Sequence, residues 1–173
     1  MKFLECDLEE IIYNSDRDLL LERGLSITGK TFRQLKVGRY GVADLIELKR
    51  PYYHSHFKTM MKGTITVYEL KKDNISISAF LQALRYLKGI KRFLESNKKS
   101  ISNCFNYEIV LIGRSIDINS SIIYLTDFFT DELGEYDIDD TSKTFISFYK
   151  YDFDIEGLKF EPVFDYRLTN EGF

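Results

Sequence analysis

At 173 residues, with 44% hydrophobic content and 15% aromatics, the chain is long and apolar enough to fill one core, so a single globular unit spanning residues 1–173 is expected. No uncharged apolar run reaches the roughly 18 residues of a membrane span, and residues 1–7 turn acidic too early for a signal peptide, which excludes membrane and secretory classes and points to the cytoplasm. The net charge of -3 hides a split: residues 1–116 carry 20 Lys+Arg against 13 Asp+Glu, and residues 117–173 carry 4 against 14, which suits either a phosphate-facing side with an acidic back or ordinary solvated surface.

Residues 4–22 place Leu4, Leu8, Ile11, Ile12 and Leu19 at helical spacing and end before Gly24, which predicts a first helix. Cys6 and Cys104 have no C-x-x-C partner, so neither a disulfide framework nor a zinc site is expected, and both read as buried thiols. Between residues 26 and 48 the period shortens and Gly38 and Gly41 interrupt it, predicting two strands joined by a turn. Residues 50–62 read as an irregular connection, with His54 and His56 as polar surface rather than a metal clip. Residues 64–71 form a third, β-branched strand. Ser76 or Ser78 caps the next helix, whose buried stripe is predicted as Phe80, Leu81, Leu84, Leu87 and Phe93. Residues 107–113 read as a strand covered on both faces, residues 119–133 as a helix, and residues 145–151 and 158–163 as two closing strands about a turn at 154–157. This order predicts an α/β fold, a mixed central sheet flanked by helices.

Asp44 and the Glu69-Leu70-Lys71 segment stand inside apolar runs, where charged side chains are costly to bury unless they pair or coordinate. Alternation puts Glu69 and Lys71 on one face of their strand and Leu70 on the other, leaving the Leu70 carbonyl available to a metal. If the strand of Asp44 pairs alongside, both carboxylates reach one cation. Two carboxylates around Mg²⁺ (or Mn²⁺) with an ammonium beside them are the equipment of metal-assisted phosphodiester hydrolysis. A second E-x-K, Glu47 to Lys49, competes with this one, but it has no aspartate on the strand before it and no Q-x-x-x-Y behind it. Taken singly, Glu69 and Lys71 also suit a cross-strand ion pair, and Gln82 and Tyr86 a helix-surface pair. The cations Arg85, Lys88, Lys91, Arg92, Lys98 and Lys99 suit phosphate contacts or a solvated helix face.

Asp44, Glu69-x-Lys71 and then Gln82-Ala-Leu-Arg-Tyr86 together resemble the PD-(D/E)XK nuclease superfamily, and most closely the C-terminal domain of NucS-type endonucleases. The resemblance covers the helix near residues 5–14 and segments 38–46, 67–72 and 82–86. It implies a restriction-endonuclease-like αβββαβ core. It further implies that Asp44, Glu69 and the Leu70 carbonyl bind Mg²⁺ (or Mn²⁺), that Lys71 orients the attacking water, and that Gln82 supports the site. Tyr86, Arg85, Lys72 and Arg39 would face the nucleic acid. A first-helix glutamate belongs to the pattern as well; Glu5 and Glu9 share one edge of the apolar stripe while Glu10 points away, and Glu9 is the expected participant. Two departures stand out, since Tyr40-Gly-Val-Ala separates Arg39 from Asp44, and residues 51–63 lengthen the path from Asp44 to Glu69.

The expected function is therefore a Mg²⁺-dependent nuclease hydrolysing phosphodiester bonds in DNA, with RNA as an open substrate class. The alternative is a catalytically inactive nuclease-fold module that binds DNA or a protein partner. The small size suggests that a homodimer or a recognition partner supplies specificity.

Overall fold

A computed structural model describes residues 3–56, 59–97, 104–116, 122 and 144–163. In chain order the elements are α1 (Glu5–Asn14), α2 (Arg17–Glu22), β1 (Lys30–Lys36), a single 3-10 turn (Gly38–Tyr40), β2 (Val42–Lys49), β3 (Tyr52–His54), β4 (Thr59–Met61), β5 (Gly63–Leu70), β6 (Asn74–Ile75), α3 (Ile77–Asn97), β7 (Phe105–Gly113), β8 (Ser115–Ile116), β9 (Thr144–Asp154) and β10 (Gly157–Pro162). Six strands make one mixed sheet in the order β1-β2-β5-β7-β9-β10. Its β1/β2, β2/β5 and β9/β10 pairs are antiparallel, whereas β5/β7 and β7/β9 are parallel. The parallel step from β5 to β7 needs a crossover, and α3 supplies it.

Burial follows from alternation. Ile65, Val67, Ile109 and Leu111 face α3, where they meet Phe80, Ala83 and Leu87. Their neighbours Tyr68, Leu70, Val110 and Ile112 face the other way, onto Leu8, Ile12 and Leu20 of α1 and α2. Because helices cover both faces, β5 and β7 are buried at nearly every position. Among the described residues no helix is long and apolar enough to cross a membrane.

The fold departs from the sequence expectations at four places. The first helix is two helices: Ser15 is extended, and the Asp16 side chain caps α2 by accepting from the Asp18 N–H at 2.9 Å. Leu8, Ile12 and Leu20 are buried, while Leu4, Ile11 and Leu19 are exposed. Residues 50–62 contain a short hairpin, β3 with β4, rather than an irregular connection, and the rings of His54 and His56 meet edge to face at 6.5 Å. On α3 the buried stripe runs through Ala79, Phe80, Ala83, Tyr86 and Leu87; Leu81, on nearly the opposite side of the helix, and Phe93, in its last turns beyond that stripe, are exposed. Cys6 is exposed on α1 and Cys104 is only partly buried. The helix expected over residues 119–133 falls outside the described residues except at Ile122.

Candidate functional site

The site is assembled where β2 and β5 part. Their antiparallel ladder runs through Ile46↔Val67 and ends at Leu45↔Tyr68. Just beyond it Asp44 lies close enough to Glu69 for its charge to act on the Glu69 carboxyl. Instead of a further ladder pair, Asp44 Oδ2 accepts the Leu70 N–H at 3.0 Å and so clips the strand ends together. Glu69 is fully buried. Its Oε1 accepts from Lys71 Nζ at 2.7 Å, whereas its Oε2, equally buried, receives no hydrogen bond. Leaving a buried charged acceptor without a donor costs at least about 1–3 kcal/mol.

Electrostatics reflect that crowding. Burial, then the charge of Asp44, pushes the Glu69 carboxyl up to about 7, against the opposing pull of Lys71. Asp44 is raised too, by burial foremost; the Leu70 N–H and Lys71 oppose the rise, and Glu9 and Glu5 add to it. Burial alone would lower Lys71, but its hydrogen bond to Glu69 and the fields of Glu69, Glu5 and Asp44 outweigh that and hold it above the ordinary lysine value. A pair of acids that resist ionising side by side is a place where a cation is favoured.

Two first-helix glutamates reach this region. Glu9 is only 4% exposed, and its two oxygens accept from Arg33 Nε and Gln34 Nε2. Gln34 has a left-handed backbone (φ 50) and fills the gap in the β1/β2 ladder between Arg33↔Leu45 and Leu35↔Ala43, opposite Asp44. Glu5 lies nearer Lys71, 3.7 Å from Nζ, and also accepts the Lys72 N–H at 3.4 Å. Glu10 is exposed. The expected participant, Glu9, is therefore joined by Glu5, and Arg33 and Gln34 are site neighbours that sequence reasoning missed. Nothing in residues 30–36 of the sequence signals a left-handed residue inside a strand.

The α3 residues stand one layer away. Gln82 Nε2 donates to the Tyr86 hydroxyl at 2.8 Å; among the described residues its side chain is hydrogen-bonded there and not to Asp44 or Glu69. Tyr86 is buried and its ring packs on Gly41, whose φ is +111 and where an added Cβ would lie 2.9 Å from Cε1. A glycine at that turn thus sets how β2 enters the sheet. Arg85 is exposed and stacks over the Tyr86 ring at 5.4 Å. The Arg39 guanidinium lies 5.5 Å from the Tyr40 ring centroid. The Lys72 carbonyl accepts from the Tyr151 hydroxyl, and its ammonium is 3.9 Å from Asp73. Leu70 gives its N–H to Asp44.

The competing E-x-K has a different character. Glu47 is also fully buried, but Oε1 accepts the backbone N–H of Thr28 at 2.8 Å and that of Gly29, and Oε2 accepts from the Tyr68 hydroxyl at 2.7 Å. Lys49 lies 3.7 Å from it. Every oxygen of Glu47 is used to tie the chain before β1 to the sheet, whereas Glu69 holds one oxygen in reserve. Among the described residues no group of three or more His, Cys, Asp and Glu side chains forms a ready metal cage. Two carboxylates are nonetheless the protein share that Mg²⁺ commonly takes, with water and substrate oxygens completing its shell. No protein-family model matches the chain, and no curated protein and no solved structure matches it, so the functional argument rests on this geometry.

Proposed function

We propose that the chain is a divalent-cation-dependent nuclease of the PD-(D/E)XK kind that hydrolyses phosphodiester bonds in DNA. The single observation that carries this reading is the Glu69 oxygen, buried without a donor and within the field of a second carboxylate, Asp44. Folding tolerates such an oxygen when a ligand completes it. The order α1, β1, β2, β5, α3, β7 supports a restriction-endonuclease-like core, with the β3–β4 hairpin accommodating the extra residues between Asp44 and Glu69.

Asp44 and Glu69 would hold Mg²⁺ or Mn²⁺. When bound, the cation supplies a Lewis acid that lowers the pKa of water and offsets charge on the phosphate. Lys71, fixed by Glu69 and Glu5, presents an ammonium to the anionic phosphate and to the attacking water. Asp44, through the Leu70 N–H, keeps the two strand ends at one spacing. Gln82 and Tyr86 act as positioning residues, since Tyr86 rests on the Gly41 turn that starts β2.

The test is cleavage of single-stranded, duplex and branched DNA, and of RNA, with Mg²⁺ or Mn²⁺. The wild type is expected to cut DNA, and Asp44→Ala, Glu69→Ala and Lys71→Ala are each expected to abolish cutting while circular dichroism stays native. Cleavage of no DNA form with either metal, or undiminished cleavage by all three variants, would overturn the reading.

A further inference from the structure

A second concentration of charge lies where α3 meets the 3-10 turn. Arg39, Arg85, Lys88 and Arg92 are exposed, and among the described residues none of them has an ion-pair partner. α3 carries one acid, Glu95. Spacings of three, four and seven residues put Arg85, Lys88 and Arg92 on one side of the helix. Gly89 lies on that side too, and it explains the arrangement: an added Cβ would come within 2.7 Å of the Tyr40 ring and 2.6 Å of Val37. A glycine inside a helix costs about 1 kcal/mol. Here it lets the Tyr40 ring lie against the helix backbone.

Tyr40 then organises the cations around it. The Arg39 guanidinium lies 5.5 Å from its ring centroid, and Arg92 Nη1 donates to its hydroxyl at 2.8 Å. Hydrogen bonding from Arg39 and then Arg92 draws the phenol below its ordinary pKa. Arg85 is held in the same manner over Tyr86. Guanidiniums oriented by aromatic rings and lacking carboxylate partners are pre-set for phosphate oxygens. From Arg85 to Arg92 the helix rises about 10 Å, which matches about three base-pair steps measured along the axis of a duplex. Gly41 joins this patch to the carboxylates, because it packs on Tyr86 and leads into the strand of Asp44.

We infer that Arg39 and Arg92, held by Tyr40, together with Arg85 and Lys88 on the same side of α3, form a docking surface for the sugar–phosphate backbone of a nucleic-acid strand. The choice of nucleic acid over other polyanions rests on the nuclease reading of the neighbouring carboxylates.

The experiment is fluorescence anisotropy of labelled single-stranded and duplex DNA with the full chain in EDTA, over a range of salt, beside Mn²⁺ calorimetry. The wild type is expected to bind with salt-dependent affinity. R39A/R85A/R92A is expected to bind at least about tenfold more weakly, with the slope of log K against log salt reduced by about 2–3. Y40F keeps every charge, so it is expected to weaken binding about threefold with little change of slope. Native circular dichroism and wild-type Mn²⁺ binding are expected for both variants. DNA binding that is undetectable in the wild type, or equal in wild type and triple variant, overturns the surface even if Mn²⁺ binding and cleavage stand. Patch-dependent binding to phosphatidylserine vesicles without patch-dependent DNA binding overturns it as well. Absence of cleavage, with DNA binding still patch-dependent, would instead sink the nuclease reading and leave the surface standing.

Discussion

Replacing Glu69 by glutamine should stabilise the metal-free protein and abolish its response to metal. The carboxyl is fully buried with one oxygen unserved, and its pKa is about 7 against an ordinary 4.5. A tenfold change in proton affinity is worth about 1.4 kcal/mol, so holding Glu69 ionised costs the fold about 3 kcal/mol above neutral pH. Glutamine removes that cost; the opposing pull of Lys71 is already contained in the shift, so the gain is about 3 kcal/mol. The sign follows from linkage. The folded state holds the proton more tightly, so the wild type is favoured below about pH 4.5 and loses that advantage as pH rises through about 7. The gain of E69Q should therefore shrink to under about 1 kcal/mol at about pH 5 and reach its plateau above about pH 7. Urea melts in EDTA across this range measure it; in thermal melts at the plateau the midpoint temperature should rise by about 6–12 °C. Saturating Mg²⁺, at about 100 times its Kd, should stabilise the wild type by about 3 kcal/mol and leave E69Q unmoved. An E69Q protein less stable than wild type above pH 7 in EDTA would refute the argument.

Two further outcomes separate structural from functional roles. Glu47→Gln deprives the Thr28 and Gly29 N–H groups and the Tyr68 hydroxyl of part of their acceptor, so it should destabilise by about 3 kcal/mol. Thermal melts would show this, with Mn²⁺ affinity by calorimetry unchanged. Gly89→Ala gains about 1 kcal/mol of helix propensity and loses about 2 kcal/mol by crowding Val37 and Tyr40, so denaturant melts should show a net loss of about 1 kcal/mol.

The sheet strands were legible because their hydrophobic period is strong. The 107–113 run is nearly continuous in apolar residues and the 63–70 run is rich in β-branched ones, and both are buried at nearly every position of a sheet covered on both faces. Asp44, Glu69 and Lys71 were legible for a related reason, being charges set inside such runs. Local chemistry that competes with periodicity was harder to read. Ser15 and Asp16 end one helix and begin another, yet the apolar spacing continues across them. Leu81 and Phe93 look like core by type and are exposed, since which side of α3 is covered depends on where the sheet lies. The clamp of Arg33 and Gln34 on Glu9 depends on a backbone conformation that glutamine rarely adopts, and composition carries no trace of it.

Gly41 and Gly89 seat the turn before β2 directly against the middle of α3, with ring carbons rather than flexible chains between them. A load placed on the exposed side of that helix is thereby delivered to the first residues of β2, as through a short lever with little slack. A polyanion on the helix and a divalent ion at Asp44 would have this contact between them, so any coupling it carries would act in both directions. Whatever factor a bound polyanion applies to divalent-ion affinity, the ion must return to the polyanion in equal measure.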